Sequence, residues 1–331
     1  MTELLRSVGV VGAGRMGEGI ALSFAYAGVP VVLLDVKARP ANERQAYFQS
    51  VRDNLRRELQ MLVRLELLQD SQAEDVLDLI VVGAKDQLTT PLAACQLVFE
   101  AVPEVASVKR ETFAWMGAQV APDAIIASTT STFLVTELAE MVQGPGRFVN
   151  AHWLNPAHLM PLVEISRSEN TDDAVVERLL SLLKQIGKVP VVCNASAGFI
   201  VPRIQALAMN EAARMVEEGV ASAEDIDTAV RVGFGLRFSV LGLLEFIDWG
   251  GGDILYYASR YLGDALDPRF HSPQVISDNM HGGRNGLRDG VGFYDYQGVD
   301  LQAYKLRRLG DLVRKLELSG LTPIFESALR G

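Results

Sequence analysis

Cysteine, histidine and long apolar runs are scarce in this sequence of 331 residues. It has two cysteines and four histidines, and Cys95 and Cys193 lie in separate apolar stretches without metal-ligand spacing. This arrangement predicts two buried, reduced thiols and no metal site. No apolar run reaches the roughly 18 residues that a membrane-spanning helix needs, and residues 1 to 6 leave no room for a signal peptide before the first predicted strand. We therefore expect a cytoplasmic protein with no membrane partner.

Positive charge is also in the minority, since 31 lysines and arginines stand against 41 aspartates and glutamates. The net charge of −10 and the pI near 5.0 argue against nucleic acid or an anionic membrane as a partner. A hydrophobic content of 49% over this length is enough for a large core and favours two domains.

The stretch from residue 8 to residue 35 has the pattern of a dinucleotide-binding unit. An apolar run ends in a glycine-rich turn, a helical stretch follows, and a second apolar run closes on Asp35. Gly12 permits a sharp turn, Gly14 lets the backbone approach a pyrophosphate, and Gly17 permits close packing of helix against strand. The phosphates then lie at the N-terminus of the helix, where unpaired N–H groups favour negative charge. The residues predicted to bind the cofactor here are Gly12, Gly14, Arg15, Met16, Gly17 and Asp35.

Asp35 decides which dinucleotide this unit prefers. A carboxylate at the end of the second strand accepts hydrogen bonds from the ribose hydroxyls and repels a 2′-phosphate. The sequence therefore predicts NAD in preference to NADP. FAD is the main competing cofactor, since flavoproteins use the same fold.

Alternating strand and helix signals after Asp35 predict an α/β fold with a doubly wound, mostly parallel sheet of the Rossmann type. Strand-like runs occur at residues 79 to 82, 97 to 101 and 125 to 128. Between Asp35 and these runs, residues 41 to 68 have the composition of one long helix or two. Arg56 and Arg57 on this stretch belong either to a solvated face or to a binding site for the phosphates of a substrate tail.

A two-stranded turn follows at residues 147 to 166, where RFVNAH and PLVEIS flank a break at Asn155-Pro156. The turn brings His152 back toward Glu164. A carboxylate that accepts one ring N–H fixes the histidine tautomer and leaves the other nitrogen free to take a proton, which is the usual arrangement of a general base. His158 is the alternative candidate for this role.

Several motifs in order give the chain a resemblance to the L-3-hydroxyacyl-CoA dehydrogenase family, which includes relatives that act on free 3-hydroxy acids such as carnitine or gulonate. The motifs are VGVVGAGRMGEGIA, FEAVPE with a following lysine, ASTTST, AHWLNPAHLMPLVEI, SAGFIVPRI and GRNGLRDGVGFYDY. They extend over nearly the whole chain.

The resemblance implies roles for individual residues. It makes His152 the catalytic base, Glu164 its partner, and Ser131 the serine that hydrogen-bonds the reacting oxygen. Ser131 is alternatively a helix N-cap, and either role also suits Thr132. Glu104 and Lys109 match residues near the nicotinamide, or they are surface charges.

One position departs from the family pattern. Pro202 occupies the place of an asparagine that belongs to the family's active site, and proline offers neither a donor nor an amide side chain. Trp153 in the family's substrate motif is a second indication of a specialised pocket. The residues assigned to the substrate are Asn155, Arg56, Arg57, Pro202 and Trp249.

Strand signals end near residue 195, so we place an NAD-binding domain at 1–195 and a helical C-terminal substrate and dimerisation domain at 196–331. Predicted helices are 171 to 186 in the first domain and 198 to 217, 222 to 232, 239 to 262 and 300 to 317 in the second. Ser222 and Ser239 are expected helix starts. The stretch from 242 to 262 contains Gly250 to Gly252. These glycines predict a kinked helix that lies in the core or at a dimer interface. The alternative is that Trp249 and Tyr256 of this stretch line the substrate pocket.

These observations predict an NAD-dependent oxidoreductase that converts a 3-hydroxyacyl substrate to the 3-oxo compound. We favour a CoA thioester as the small-molecule substrate over a free 3-hydroxy acid. The apolar helical faces favour a homodimer. The alternative from another class is a structural protein that binds NAD without turnover, and the His152–Glu164 pair argues against it.

Overall fold

The computed structural model describes residues 5–323. Its centre is one sheet of eight strands in the order β3-β2-β1-β4-β5-β6-β7-β8. The pairs from β3 to β6 are parallel, β6 and β7 are antiparallel, and β7 and β8 are parallel again. The strands are β1 (Val8–Val11), β2 (Val31–Asp35), β3 (Ile80–Ala84), β4 (Leu97–Glu100), β5 (Ile125–Ser128), β6 (Phe148–Trp153), β7 (Leu162–Arg167) and β8 (Val189–Asn194).

Fourteen α-helices are found among the described residues, and the first seven belong to the sheet-containing part. These are α1 (Arg15–Tyr26), α2 (Ala41–Arg64), α3 (Asp70–Asp78), α4 (Lys85–Ala93), α5 (Ala106–Gln119), α6 (Val135–Ala139) and α7 (Asp173–Gln185). The others are α8 (Val201–Glu217), α9 (Ala223–Ala229), α10 (Leu236–Phe238), α11 (Leu243–Gly250), α12 (Gly252–Ala265), α13 (Gln274–His281) and α14 (Leu301–Leu318). The predicted doubly wound sheet followed by helices is confirmed.

Two apolar clusters cover the two faces of the sheet, because successive side chains of a strand point to opposite faces. Helices α1, α2, α3 and α7 contribute to the first cluster, and α4, α5 and α6 contribute to the second. Trp153 packs in the first against Phe24 and Phe99, with ring centroids 6.1 and 5.7 Å away. The interpretation of Trp153 as part of a specialised pocket is therefore wrong, since the indole is a core side chain with 3% exposure.

Several helix ends differ from the sequence predictions. The predicted helix from 239 to 262 is broken at Gly251, whose φ of +107° only glycine adopts readily. This confirms the kink but separates α11 from α12. Ser239 does not start a helix, because α11 begins at Leu243, whereas Ser222 caps α9 by accepting a hydrogen bond from the Asp225 N–H. Cys193 is only half-buried, so the prediction of two buried thiols holds for Cys95 alone.

The chain divides into two compact units between Ala208 and Met209, inside α8. The first unit contains the whole sheet. The second contains the rest of α8 and the helices from α9 to α14, with a small buried cluster of Leu287, Tyr296 and Tyr304. Among residues 5–323, no helix has both the length and the apolar character needed to cross a membrane.

Candidate active site

The glycine-rich turn after β1 has the geometry of a dinucleotide-binding turn. A Cβ on Gly17 would lie 1.8 Å from the Gly12 carbonyl oxygen, and one on Gly12 would lie 2.4 Å from the Ala101 oxygen. These two positions therefore accept only glycine. A Cβ on Gly14 would meet nothing within 4 Å, so the backbone beside it is open to a pyrophosphate at the start of α1. Arg15 is exposed, and the half-buried Met16 packs on the core.

Asp35 ends β2 and is 4% exposed. Its Oδ1 accepts a hydrogen bond from the Lys37 N–H at 3.2 Å, and its Oδ2 lies 2.6 Å from Arg39 Nε. Each carboxylate oxygen has a second lone pair for a further donor. The turn and Asp35 together fit the diphosphate and a ribose of NAD.

His152 and Glu164 face each other directly across the antiparallel pair of β6 and β7. His152 Nδ1 lies 2.9 Å from Glu164 Oε2, and both side chains are buried. Because an ionised carboxylate only accepts hydrogen bonds, Nδ1 carries the proton and Nε2 is left free to accept one. The predicted pairing of these two residues is present in the structure.

Three residues that sequence reasoning missed fix this pair. Glu164 Oε1 accepts hydrogen bonds from the Ile200 and Val201 N–H groups at 3.0 and 2.8 Å. Phe199 stacks on the imidazole with ring centroids 4.9 Å apart and planes 11° apart. Its φ of +47° is uncommon for a residue with a side chain. The GFI sequence before α8 was a visible signal, yet nothing in its spacing points to residue 152.

The Ser131 segment is tied to a buried ion pair. Ser131 N–H donates to Glu104 Oε1 at 2.8 Å, and Glu104 Oε2 lies 3.2 Å from Lys109 Nζ. Lys109 in turn pairs with Glu100 at 2.9 Å, and both side chains are at most 1% exposed. Lys109 is therefore not a surface charge. Glu100, which the sequence analysis did not single out, anchors this network.

The N-cap interpretation of Ser131 and Thr132 is wrong. Helix α6 begins at Val135 after Leu134, and it is Thr130 Oγ1 that accepts the N–H groups of Thr132 and Phe133. Ser131 itself is exposed, and its hydroxyl makes no hydrogen bond within residues 5–323. The side chain is thus available to a ligand.

Pro202 is the second residue of α8. The N–H groups in the first turn of a helix have no partner within the helix, so proline is tolerated there at no cost in backbone hydrogen bonds. Pro202 is therefore compatible with the first turn of α8. The site nevertheless lacks the amide side chain that the family pattern has at this position.

A cavity of about 280 Å³ lies between α1, α2 and the turn after β6. Its polar lining consists of Arg15, Glu18, Glu58, Asn155 and His158. His158 Nε2 has no hydrogen-bond partner among the described residues and lies 3.7 Å from Glu58 Oε2. Burial lowers the pKa of His158 and raises that of Glu18. Within residues 5–323, no carboxylate lies within hydrogen-bonding distance of His158, in contrast to His152.

Arg56 and Arg57 on α2 are already engaged. Arg56 pairs with Glu74 at 3.0 Å and with Asp53 at 3.4 Å, and Arg57 donates to Asn54. The Glu74 hydrogen bond raises the pKa of Arg56. Neither arginine lines the cavity beside Asn155.

Trp249 belongs to the second unit, where it packs on the cluster that contains Tyr304, with ring centroids 6.0 Å apart. The neighbouring Asp248 is 2% exposed and accepts hydrogen bonds from the N–H groups of Phe293 and Tyr294 at 3.0 and 2.9 Å. The Tyr296 hydroxyl donates to the same carboxylate at 3.1 Å. The GFYDY motif therefore has a structural explanation, because it folds around Asp248.

A glycine-rich turn at the start of a helix, an acid at the end of the next strand and a histidine–carboxylate pair define a dinucleotide-dependent dehydrogenase. Comparison with known proteins identifies the family. Residues 7–196 match the 3-hydroxyacyl-CoA dehydrogenase, NAD binding domain, and residues 198–296 match the C-terminal domain of the same family.

Similar proteins cover nearly the whole chain. A 3-hydroxybutyryl-CoA dehydrogenase of Bradyrhizobium diazoefficiens is 35% identical over 90% of this chain and 98% of its own length. A 5-formyl-3-hydroxy-2-methylpyridine 4-carboxylate 5-dehydrogenase of Mesorhizobium japonicum is 30% identical over 95% and 99%. The crystal structure of a 3-hydroxyacyl-CoA dehydrogenase from Archaeoglobus fulgidus has a TM-score of 0.74 and 32% identity, and covers 96% of this chain and 99% of that one.

The chain belongs to the 3-hydroxyacyl-CoA dehydrogenase family. It is an NAD-dependent oxidoreductase that acts on a CH–OH group. The resemblance and the cofactor expected from the sequence are confirmed.

Proposed function

We propose that the protein oxidises the 3-hydroxyl group of an L-3-hydroxyacyl-CoA to the 3-oxo compound. The observation that carries this proposal is the buried His152–Glu164 pair, with its Nδ1 to Oε2 distance of 2.9 Å. The Bradyrhizobium relative supports a CoA thioester by its name.

In the proposed mechanism, His152 Nε2 takes the proton of the 3-hydroxyl group as the C3–H bond breaks. Bound NAD supplies the acceptor for the hydride. Glu164 holds the imidazole in the tautomer that accepts at Nε2, and its negative charge stabilises the imidazolium that forms. The Ser131 hydroxyl donates a hydrogen bond to the reacting oxygen. Gly12, Gly14 and Gly17 would hold the diphosphate of NAD, and Glu104 and Lys109 would lie near its nicotinamide.

The direct test is to mix the protein with NAD and a panel of 3-hydroxyacyl-CoA thioesters and free 3-hydroxy acids, and to follow NADH. We expect NADH with a CoA thioester and a higher kcat/KM with NAD than with NADP. Absence of NADH with every compound, together with tight NAD binding, would support the alternative of a structural NAD-binding protein.

A free 3-hydroxy acid is the second candidate substrate, because the two arginines expected to bind the CoA phosphates already have partners. Arg56 is paired with acidic residues and Arg57 with an amide. The cavity that contains Asn155 has one arginine, Arg15, against Glu18 and Glu58 in its lining, so it offers no cluster of cations for the several phosphate charges of CoA. The Mesorhizobium relative is named for a pyridine carboxylate rather than a thioester.

The arginines of α2 distinguish the two substrates. If they bind the CoA phosphates, replacing Arg56 and Arg57 together by Ala should raise KM for acetoacetyl-CoA by about tenfold at most, since exposed ion pairs contribute little. KM for a free 3-oxo acid should not change. Arg64→Ala, an exposed arginine on the same helix, is the matched control. An unchanged KM for the thioester would place the phosphates elsewhere.

We also propose that the protein is a cytoplasmic homodimer that associates through its helical unit. Large apolar side chains of that unit are exposed, among them Tyr257, Tyr261 and Leu306 at 61%, 72% and 75%. Exposed large apolar side chains in such numbers are typical of an association surface. Sedimentation equilibrium of the full chain tests the dimer, and a monomer at micromolar concentration would contradict it.

A further inference from the structure

The ribose end of the cofactor site contains an arginine to which the sequence analysis gave no role. Arg39 lies in the segment between β2 and α2, and its Nε is 2.6 Å from Asp35 Oδ2. The Arg39 side chain is 22% exposed and that of Asp35 is 5% exposed. The ion pair uses Nε and leaves the two terminal amino groups of the guanidinium outside it.

Tyr47 on α2 holds the guanidinium in place. The Arg39 Cζ atom lies 3.7 Å from the centroid of the Tyr47 ring. The Tyr47 hydroxyl donates a hydrogen bond of 2.6 Å to the Ala13 carbonyl oxygen, which belongs to the glycine-rich turn. Arg39 is thereby fixed on one side by Asp35 and on the other by a ring that is bonded to the turn.

We propose that Arg39 is a latent binding group for a 2′-phosphate and that the Asp35 charge keeps it from selecting NADP. A planar guanidinium binds phosphate oxygens through two parallel hydrogen bonds, and an arginine near this position accommodates the 2′-phosphate in NADP-dependent proteins. In the wild-type protein the Asp35 carboxylate accepts Arg39 Nε and repels the phosphate. When the residue at position 35 carries no charge, Arg39 is already positioned to bind the 2′-phosphate. The inference concerns the adenosine end of the cofactor and does not depend on the proposed substrate.

The test uses binding to the full chain without cofactor, measured by calorimetry. The two probes are adenosine 5′-monophosphate and adenosine 2′,5′-bisphosphate, which differ only in the 2′-phosphate. The wild type should bind the monophosphate more tightly. Asp35→Asn should tighten bisphosphate binding by about tenfold or more, which is the size of one hydrogen bond to a charged group. Adding Arg39→Gln to Asp35→Asn should remove that gain.

Lys37 provides a matched control, because it is an exposed cation in the same segment. Adding Lys37→Gln to Asp35→Asn should leave the gain intact. An equal gain with and without Arg39 would show that loss of repulsion alone is responsible, and a gain that disappears with Lys37 would assign the phosphate to that residue. No gain in Asp35→Asn would also overturn the proposal. If Asp35→Asn does not fold, Asp35→Ser takes its place, with the same gain expected for the bisphosphate and the same loss of that gain on adding Arg39→Gln; a gain that persists without Arg39 would overturn the proposal.

Discussion

His152→Gln should lower kcat by about 10²- to 10⁴-fold, which is the usual contribution of a general base, and leave the affinity for NAD close to that of the wild type. Glutamine fills a similar volume but cannot accept the hydroxyl proton. The NAD-binding turn does not include residue 152, so the cofactor should bind as before. Steady-state kinetics and calorimetric titration with NAD measure the two quantities separately.

Two further variants, at Glu164 and at His158, test the assignment of His152 as the base. Glu164→Gln should be impaired less than His152→Gln, because the imidazole keeps a hydrogen-bonding neighbour and loses the negative charge that stabilises its protonated form. His158→Gln is the matched histidine control and should retain most of the activity, since its Nε2 faces the cavity beside Glu58. If His158→Gln removes turnover and His152→Gln does not, the assignment of the base is wrong.

Lys109→Met should lower the free energy of unfolding by about 3–5 kcal/mol. Loss of one partner from a buried ion pair leaves an uncompensated charge in a medium of low polarity. Among the described residues, Glu100 would keep only the Ser128 hydroxyl and the Val102 N–H as donors. Urea denaturation of the protein without cofactor gives the value.

An exposed pair on the same unit is the comparison. Arg56→Met removes the partner of Glu74, which is 63% exposed, and should cost much less than Lys109→Met, because water solvates the carboxylate that remains. The double variant Glu100→Gln, Lys109→Met should recover part of the stability lost in Lys109→Met, because the fully buried carboxylate is gone and Glu104, the other partner of Lys109, is 38% exposed. A loss in Lys109→Met as small as that in Arg56→Met would show that Glu100 is solvated or protonated without its lysine.

The strands and the catalytic pair could be predicted because they depend on local spacing. Alternating runs and turn residues locate the strands, and the match of the buried faces of two neighbouring strands sets His152 opposite Glu164. The glycines at 12 and 17 could be assigned for the same reason, since a tight turn leaves no room for a Cβ.

Contacts between distant segments could not be predicted. Phe199 reaches His152 from the start of α8, and Glu100 and Lys109 meet through their positions on β4 and α5. Helix starts could not be placed either: the helix predicted from residue 171 does not include Thr171, whose hydroxyl donates to the Phe148 carbonyl oxygen. The helix begins at Asp173 instead. A polar side chain that has several possible partners follows the tertiary structure rather than its sequence neighbours.

The hydrogen bonds from Ile200 and Val201 to Glu164 have a consequence for attempts to isolate the nucleotide-binding half. A truncated chain that stops at residue 196, where the NAD-binding family match ends, would keep both strands that bear His152 and Glu164. It would lose the stacked Phe199 ring and both backbone donors to Glu164 Oε1. The carboxylate would then be free to rotate away from the imidazole. A functional fragment therefore has to extend through the first turn of α8, beyond the last strand of the sheet.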